Sequence, residues 1–377
     1  MTTLEHKDIL LSIVVPAYQA ERTIRRAICS IQELDEEAIE VIVVDDGSTD
    51  GTSAILSSLA TSDPRVKVVT QENRGRSAAR NKGVEVSSGQ WVMFVDADDH
   101  LLASGLSALV DRCKASDSPL VVFGMRGNGE QRRGACSTDT RAEIAYVSAA
   151  TLAKAMLDNY VFDIVDNPGI YETNAVWARL YRRDLLLRLS ELSDGIMAPF
   201  PEGLRFSEDR LLNLAYLRQL GAEPVEFVPV ELYFWDFEES QTCGVLHKGD
   251  PASLDAFCDL ARKMDVAGIV DEEEAERLVA REAVGQFQRL VKLSHDAEPA
   301  LLDEYIVLFT RPDIVRAVAR TPSDSYCCTS FWRAIGHLIG LNRAWLAFRL
   351  SVLAFRAKGS ITQRQNRGVD AALGCSN

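Results

Sequence analysis

WVMFVDADDH, residues 91–100, carries an unbroken apolar run straight into Asp96, Asp98 and Asp99. Three carboxylates within four positions repel one another, so the segment calls for a positive partner. The run is apolar at each position rather than at alternate ones, the pattern of a strand covered on both faces.

The same pattern precedes it in LLSIVVP (10–16), EVIVVDD (40–46) and VKVVTQ (66–71). Helical spacing fills the gaps at about 21–34, 52–60 and 77–86. Strands alternating with helices predict an α/β fold, a mainly parallel sheet flanked by helices. Ligands of such sheets lie outside the carboxyl ends of the strands. The residues at those ends are Tyr18, Asp45 and Asp46, Glu72 and Asn73, and the aspartate cluster. Each alone has a structural explanation: Asp46-Gly47-Ser48 makes a good turn, and Asp50 or Thr52 a helix cap. Their coincidence on one edge favours a site.

A net charge of -14 excludes a general nucleic-acid binder, which needs a basic footprint. Eight cysteines without a C-x-x-C pair give neither a zinc site nor a disulfide framework. The opening residues lack a secretory pattern, and no apolar run reaches membrane-spanning length, so a cytoplasmic protein is expected. The chain divides into a tail (1–9), a first α/β half (10–125), a second half (126–245), a helical region (246–320) and a basic tail (321–377). The polar, Gly-rich stretch after Met125 reads as an exposed loop.

A carboxylate cluster at a strand end suits a hard divalent cation, Mg²⁺ or Mn²⁺, with Asp96 and Asp98 as ligands and a diphosphate as partner. Taken alone, D-x-D occurs often by chance. Three blocks in order, PAYQAERTIRRAICSI, EVIVVDDGSTDGT and ENRGRSAARNKGVEVSSGQWVMFVDADD, resemble the nucleotide-binding half of the family 2 glycosyltransferases. That resemblance implies the GT-A fold and inverting, non-processive transfer from a nucleoside-diphosphate sugar, with a UDP-sugar favoured. It implies that Pro16, Ala17 and Tyr18 line the nucleotide and that Asp46 accepts from a uracil-like base. Arg76, Arg80 and Asn81 would shape the donor pocket, and Asp96, Ala97 and Asp98 would meet the metal and diphosphate. Gln19 departs from the family's usual asparagine.

In the second half, NAVWARLYRRDLL (174–186) resembles a further family segment, with Arg179 where lysine is common. RFSEDRLLNLAYL resembles the block that supplies the catalytic base, which makes Asp209 the base and Glu208 its support. The alternative is plain helix N-terminal charge capped by Ser207. QFQRL (286–290) is a near-match to the Q-x-x-R-W block of processive synthases, but reads better as an amphipathic helix. Among Tyr233, Phe234 and Trp235, one or more aromatic faces could stack on a sugar.

From Phe331 to Gly368 the chain holds seven arginines and lysines and no acid. Two readings stand side by side: contact with the inner membrane surface, and a core helix packed on the catalytic domain. The acceptor expected from the resemblance is a glycan or lipid-linked hydroxyl, in cell-surface polysaccharide or glycolipid synthesis. Competing functions are a sugar nucleotidyltransferase, a D-x-D phosphatase and an inactive scaffold. The first lacks a Gly-rich loop after strand one, and the second would carry its motif on strand one.

Overall fold

The structure is a computed structural model that describes residues 9–128, 143–158, 174–192, 197–236, 250–293, 299–322, 330–344 and 346–351. The chain forms two compact units, 1–243 and 244–377.

In the first unit the order is β1 (Leu11–Ala17), α1 (Ile24–Gln32), β2 (Ile39–Asp45), α2 (Thr52–Ser62), β3 (Val66–Thr70), α3 (Arg76–Val86) and β4 (Trp91–Phe94). Then come β5 (His100–Leu101), α4 (Ala103–Ala115), β6 (Leu120–Gly127), β7 (Ala145–Ser148) and α5 (Ala149–Asp158). The unit closes with β8 (Arg179–Arg182), α6 (Arg183–Leu192), α7 (Glu208–Leu220) and β9 (Pro224–Trp235).

One sheet runs β3-β2-β1-β4-β8-β6-β9-β5, with β7 on β9. The first four strands are parallel, and β8 runs against both β4 and β6. The register pairs Ala17 with Asp45 and Asp45 with Thr70, so the polar strand ends lie along one edge. Val15, Val43 and Met93 sit fully buried in the main core, as their apolar neighbours on both faces require.

Two expectations are modified. The fourth run stops being strand at Phe94, and Asp96 to Asp99 form a turn closed by the Asp99 amide on the Asp96 carbonyl at 3.1 Å. The turn lets the mutually repelling carboxylates reach separate donors, Arg80 for Asp96 and Tyr233 for Asp99. β3 is the sheet edge, so Lys67, Val68 and Thr70 are exposed rather than covered.

Helix α3 lies close on β1 because Gly83 has no side chain. A Cβ there would stand 2.2 Å from Val14 Cγ1. This approach sets the height of Arg76 and Arg80 over the strand ends.

The second unit is helical: α8 (Asp250–Val266), α9 (Glu272–Leu293), α10 (Pro299–Leu308), α11 (Pro312–Arg320) and α12 (Ser330–Gly340), with 346–351 also helical. Phe257 and Phe287 are buried in this unit, and Phe287, Phe309, Ile314 and Ile339 share its own core. The QFQRL segment lies inside α9, where Arg289 pairs with Asp250 at 2.6 Å. Among the described residues no helix is long and apolar enough to cross a membrane. Most of the Gly-rich loop after Met125 lies outside the described residues, as do Arg356, Lys358, Arg364 and Arg367 of the tail.

Candidate active site

At the end of β4 the carboxylates of Asp96, Asp98 and Asp99 offer oxygens within 4.8 Å of one another. The protein itself answers part of their repulsion. Arg80 Nη2 donates to Asp96 Oδ1 at 2.6 Å. Tyr233 donates its hydroxyl to Asp99 Oδ2 at 2.6 Å, and the Asp236 amide donates to Asp99 Oδ1 at 2.8 Å. The same tyrosine oxygen accepts from the Asp96 amide at 3.2 Å. Arg26 steadies the turn by donating to the Asp98 carbonyl at 2.6 Å while pairing with Asp236 at 2.8 Å.

The charges are unequal in consequence. Burial opposes ionisation of Asp96, but the Arg80 and Arg76 guanidiniums overcome it and hold its pKa below the usual range. Burial, then the negative neighbour Asp96, pushes Asp98 up to about 6. Burial with the charges of Asp96 and Asp98 pushes Asp99 up to about 8.

Asp99 has both oxygens engaged by donors, and Asp96 has one. No side-chain donor reaches the Asp98 carboxylate among the described residues. An all-oxygen donor set, held together against its own repulsion, fits a hard divalent cation on Asp98 and the second oxygen of Asp96.

Arg80 connects this cluster to a second one. Its side chain has no exposed surface, and its Nη1 donates to Asp209 Oδ1 at 2.7 Å and lies 3.3 Å from Glu208 Oε1. Arg76 reaches Glu208 at 2.5 Å. The Phe200 ring lies 5.2 Å from the Arg80 guanidinium carbon, and covers it. Burial pushes Asp209 up to about 7; Arg80 and Arg76 pull it down and Glu208 pushes it further up. Of the helix-end alternative, the charge is present, since Glu208 and Asp209 fall in the first turn of α7, but the cap is not supplied by Ser207. It stands at the N-cap of α7 with φ 62° and makes no side-chain cap bond.

On the β1 side, Pro16 and Ala17 are the last residues of the strand, and Tyr18 is 47% exposed beyond them. Asp46 is buried and braces the loop before α3. Its Oδ1 accepts from Gln71 Nε2 at 2.7 Å and the Arg74 amide at 3.0 Å, and its Oδ2 from the Gly75 amide at 2.8 Å. Gln19, at φ 52°, turns its amide oxygen onto the Thr49 amide at 2.8 Å and the Asp50 amide at 3.2 Å. Asn81 exchanges hydrogen bonds with the Phe200 backbone at 2.9 and 2.8 Å, so its amide anchors the 197–206 segment. Ala97 packs partly buried against the main core.

The sequence left open which of Tyr233, Phe234 and Trp235 could stack on a sugar, and Tyr233 is not available for it. That side chain is buried, with Trp177 parallel to its ring at 4.7 Å, and it supports the aspartate turn. Phe234 stacks on His100 at 4.7 Å. Arg26 was missed altogether. It lies in the first helix, 72 positions before its partner Asp98, and nothing local in the sequence marks that contact.

Residues 12–180 match the protein family described as Glycosyl transferase family 2. The chain is 30% identical over 226 residues to the uncharacterized glycosyltransferase EpsJ of Bacillus subtilis, covering 60% of each. It is 29% identical over 237 residues to the succinoglycan biosynthesis protein ExoO of Rhizobium meliloti, covering 63% of each. The chain thus spans about three fifths of the length of these relatives. Among solved structures, residues 1–349 of S. aureus TarS, in complex with UDP-GlcNAc, share the fold. The TM-score is 0.60 over 92% of both chains, at 19% identity.

Proposed function

The chain belongs to glycosyl transferase family 2 with its GT-A fold, and from that premise we propose inverting transfer of a sugar from a nucleoside diphosphate to an acceptor hydroxyl. The observation that carries this reading is Arg80, buried between Asp96 at the end of β4 and Asp209 at the start of α7. It sets a group able to hold a diphosphate's counter-ion beside a carboxylate whose pKa lies near neutrality.

In this reading Asp209 takes the proton of the acceptor hydroxyl. The acceptor oxygen bonds to the anomeric carbon while the bond from that carbon to the leaving phosphate breaks, its electron pair going to the nucleoside diphosphate. No covalent enzyme intermediate forms, so one base suffices. Glu208, engaged by Arg76 and Arg80, keeps the charge around Asp209 balanced. Asp98 and the free oxygen of Asp96 would hold Mn²⁺ or Mg²⁺, which when bound offsets charge developing on the leaving diphosphate. Tyr18 offers its exposed ring to the base, and Pro16 and Ala17 the strand end beside it. Asp46 offers an acceptor to a base N–H; Arg76 and Arg80 line the same edge, while Asn81 holds the loop over it.

A UDP-sugar is the favoured donor, since the neighbouring TarS structure contains UDP-GlcNAc. A glycan or lipid-linked acceptor in polysaccharide synthesis accords with the similarity to ExoO, a succinoglycan biosynthesis protein. The test is release of nucleoside diphosphate from a panel of nucleotide sugars, with and without chelator, for the native chain and Asp209→Asn. Metal-dependent release from one donor, enhanced by an acceptor preparation and lost in the variant, is expected. Undiminished turnover in Asp209→Asn would remove the base assignment.

A further inference from the structure

We propose that the exposed face of the last described helix, Leu346, Arg349 and Leu350 with Arg343 just before it, is a docking surface for an anionic lipid bilayer. This inference stands apart from the donor-site chemistry. The helix has two unlike faces. Ala344 and Ala347 are buried in the core of the second unit, Phe348 packs against that core, and Ser351 is buried too. The opposite face points to solvent, yet it is apolar: Leu346 is 48% exposed and Leu350 43%, with Leu341 at 57% in the preceding turn. Residues 343, 346 and 350 follow the i, i+3, i+7 spacing of one helical face, and 349 lies beside them. Arg343 and Arg349 are exposed on that face, and no ion pair engages them among the described residues.

Charge decides the occupant. The chain carries 55 acidic against 41 basic residues, yet no acid lies between Phe331 and Gly368. Two unpaired arginines among half-exposed leucines suit a surface that is negative at its rim and apolar just below it. A second copy of the chain suits it less. A twofold contact would bring the same arginines face to face.

The experiment is flotation of the full chain with vesicles of phosphatidylcholine alone or mixed with phosphatidylglycerol, at low and high salt. Binding is expected to the mixed vesicles only, and to weaken with salt. Arg343→Gln with Arg349→Gln should lower partitioning about thirtyfold, at roughly one electrostatic contact each. Leu346→Glu with Leu350→Glu should lower it about tenfold or more. Residues past Ser351 stay intact in both variants, and matching circular dichroism and melting midpoints show that they fold. Equal binding to neutral vesicles, or unchanged binding in the arginine variant, overturns the proposal. So does a concentration-dependent dimer, seen by sedimentation velocity, that Leu346→Glu dissociates.

Discussion

Replacing Arg80 by methionine keeps an unbranched apolar stem and removes the guanidinium, its charge and its hydrogen bonds together, which tests what that group contributes to the network. The native guanidinium is shared by Asp96, Glu208 and Asp209 at 2.6, 3.3 and 2.7 Å. Removing one side of a buried ion pair costs about 3–5 kcal/mol, because a charge is left without a partner. Asp96 and Asp209 retain side-chain exposures of 19% and 21%, so the lower end applies. A loss of about 3 kcal/mol lowers the melting midpoint of a unit this size by about 6–12 °C. The sign with pH is fixed. In the native protein Asp96 has a depressed pKa, so its stabilisation is present above the ordinary carboxylate pKa and is lost as pH falls through the depressed value. In the variant the same carboxylate keeps its burial but loses the larger of its two cationic partners, Arg76 alone remaining, so its pKa rises. Its penalty is full at neutral pH and lifts as protons bind. Calorimetric scans should therefore show the gap between the two proteins widest near about pH 8 and shrinking toward about pH 4. A gap below about 1 kcal/mol at the higher pH, or one that does not narrow, refutes the reasoning.

The pKa of Asp209, about 7, predicts an acid limb in kcat/KM of the native chain, with activity rising as pH passes through about 7 and the base loses its proton. A profile that stays flat from about pH 5 to about pH 8 would contradict it. Asp98→Asn should raise the metal-free stability by about 1–2 kcal/mol, since a carboxylate with a raised pKa destabilises the neutral-pH fold. The same variant should lose the thermal shift that Mn²⁺ gives the native protein; a retained shift would place the ion elsewhere. Gly83→Ala drives a methyl into Val14 and should cost about 1–3 kcal/mol. It should also lower transfer more than binding of nucleoside diphosphate, because Arg80 moves with α3; unchanged turnover would separate the helix seat from catalysis.

The first half of the sheet was legible because β1, β2 and β4 are buried on both faces, and burial writes itself as continuous apolar runs. β3 has the same composition but lies at the edge, and composition alone does not distinguish edge from centre. β8 is four residues long and is a strand only because β4 and β6 hold it from either side. The aspartate turn was legible as a cluster; its partners were not. Tyr233 lies 134 positions from Asp99, and Asp209 lies 129 from Arg80, so only the folded chain joins them. The positive partner that the cluster calls for is thus supplied in part by the chain itself, by Arg80 of α3, 16 positions before Asp96.

The bracing of Asp46 bears on the order in which substrates arrive. Its carboxylate already accepts from Gln71, Arg74 and Gly75, which leaves one acceptor position on Oδ2 beside the Gly75 amide; Gly75 sits at φ 89° where α3 begins. A base N–H taking that position would share Oδ2 with the Gly75 amide, and the chain from Gly75 leads within a residue to Arg76 and within a turn more to Arg80. If Asp46 seats the base as proposed, its occupancy would bear through Arg76 and Arg80 on Glu208 and Asp209. The expected steady-state pattern on that reading is a compulsory order, donor before acceptor with the nucleoside diphosphate leaving last, which product-inhibition patterns would check.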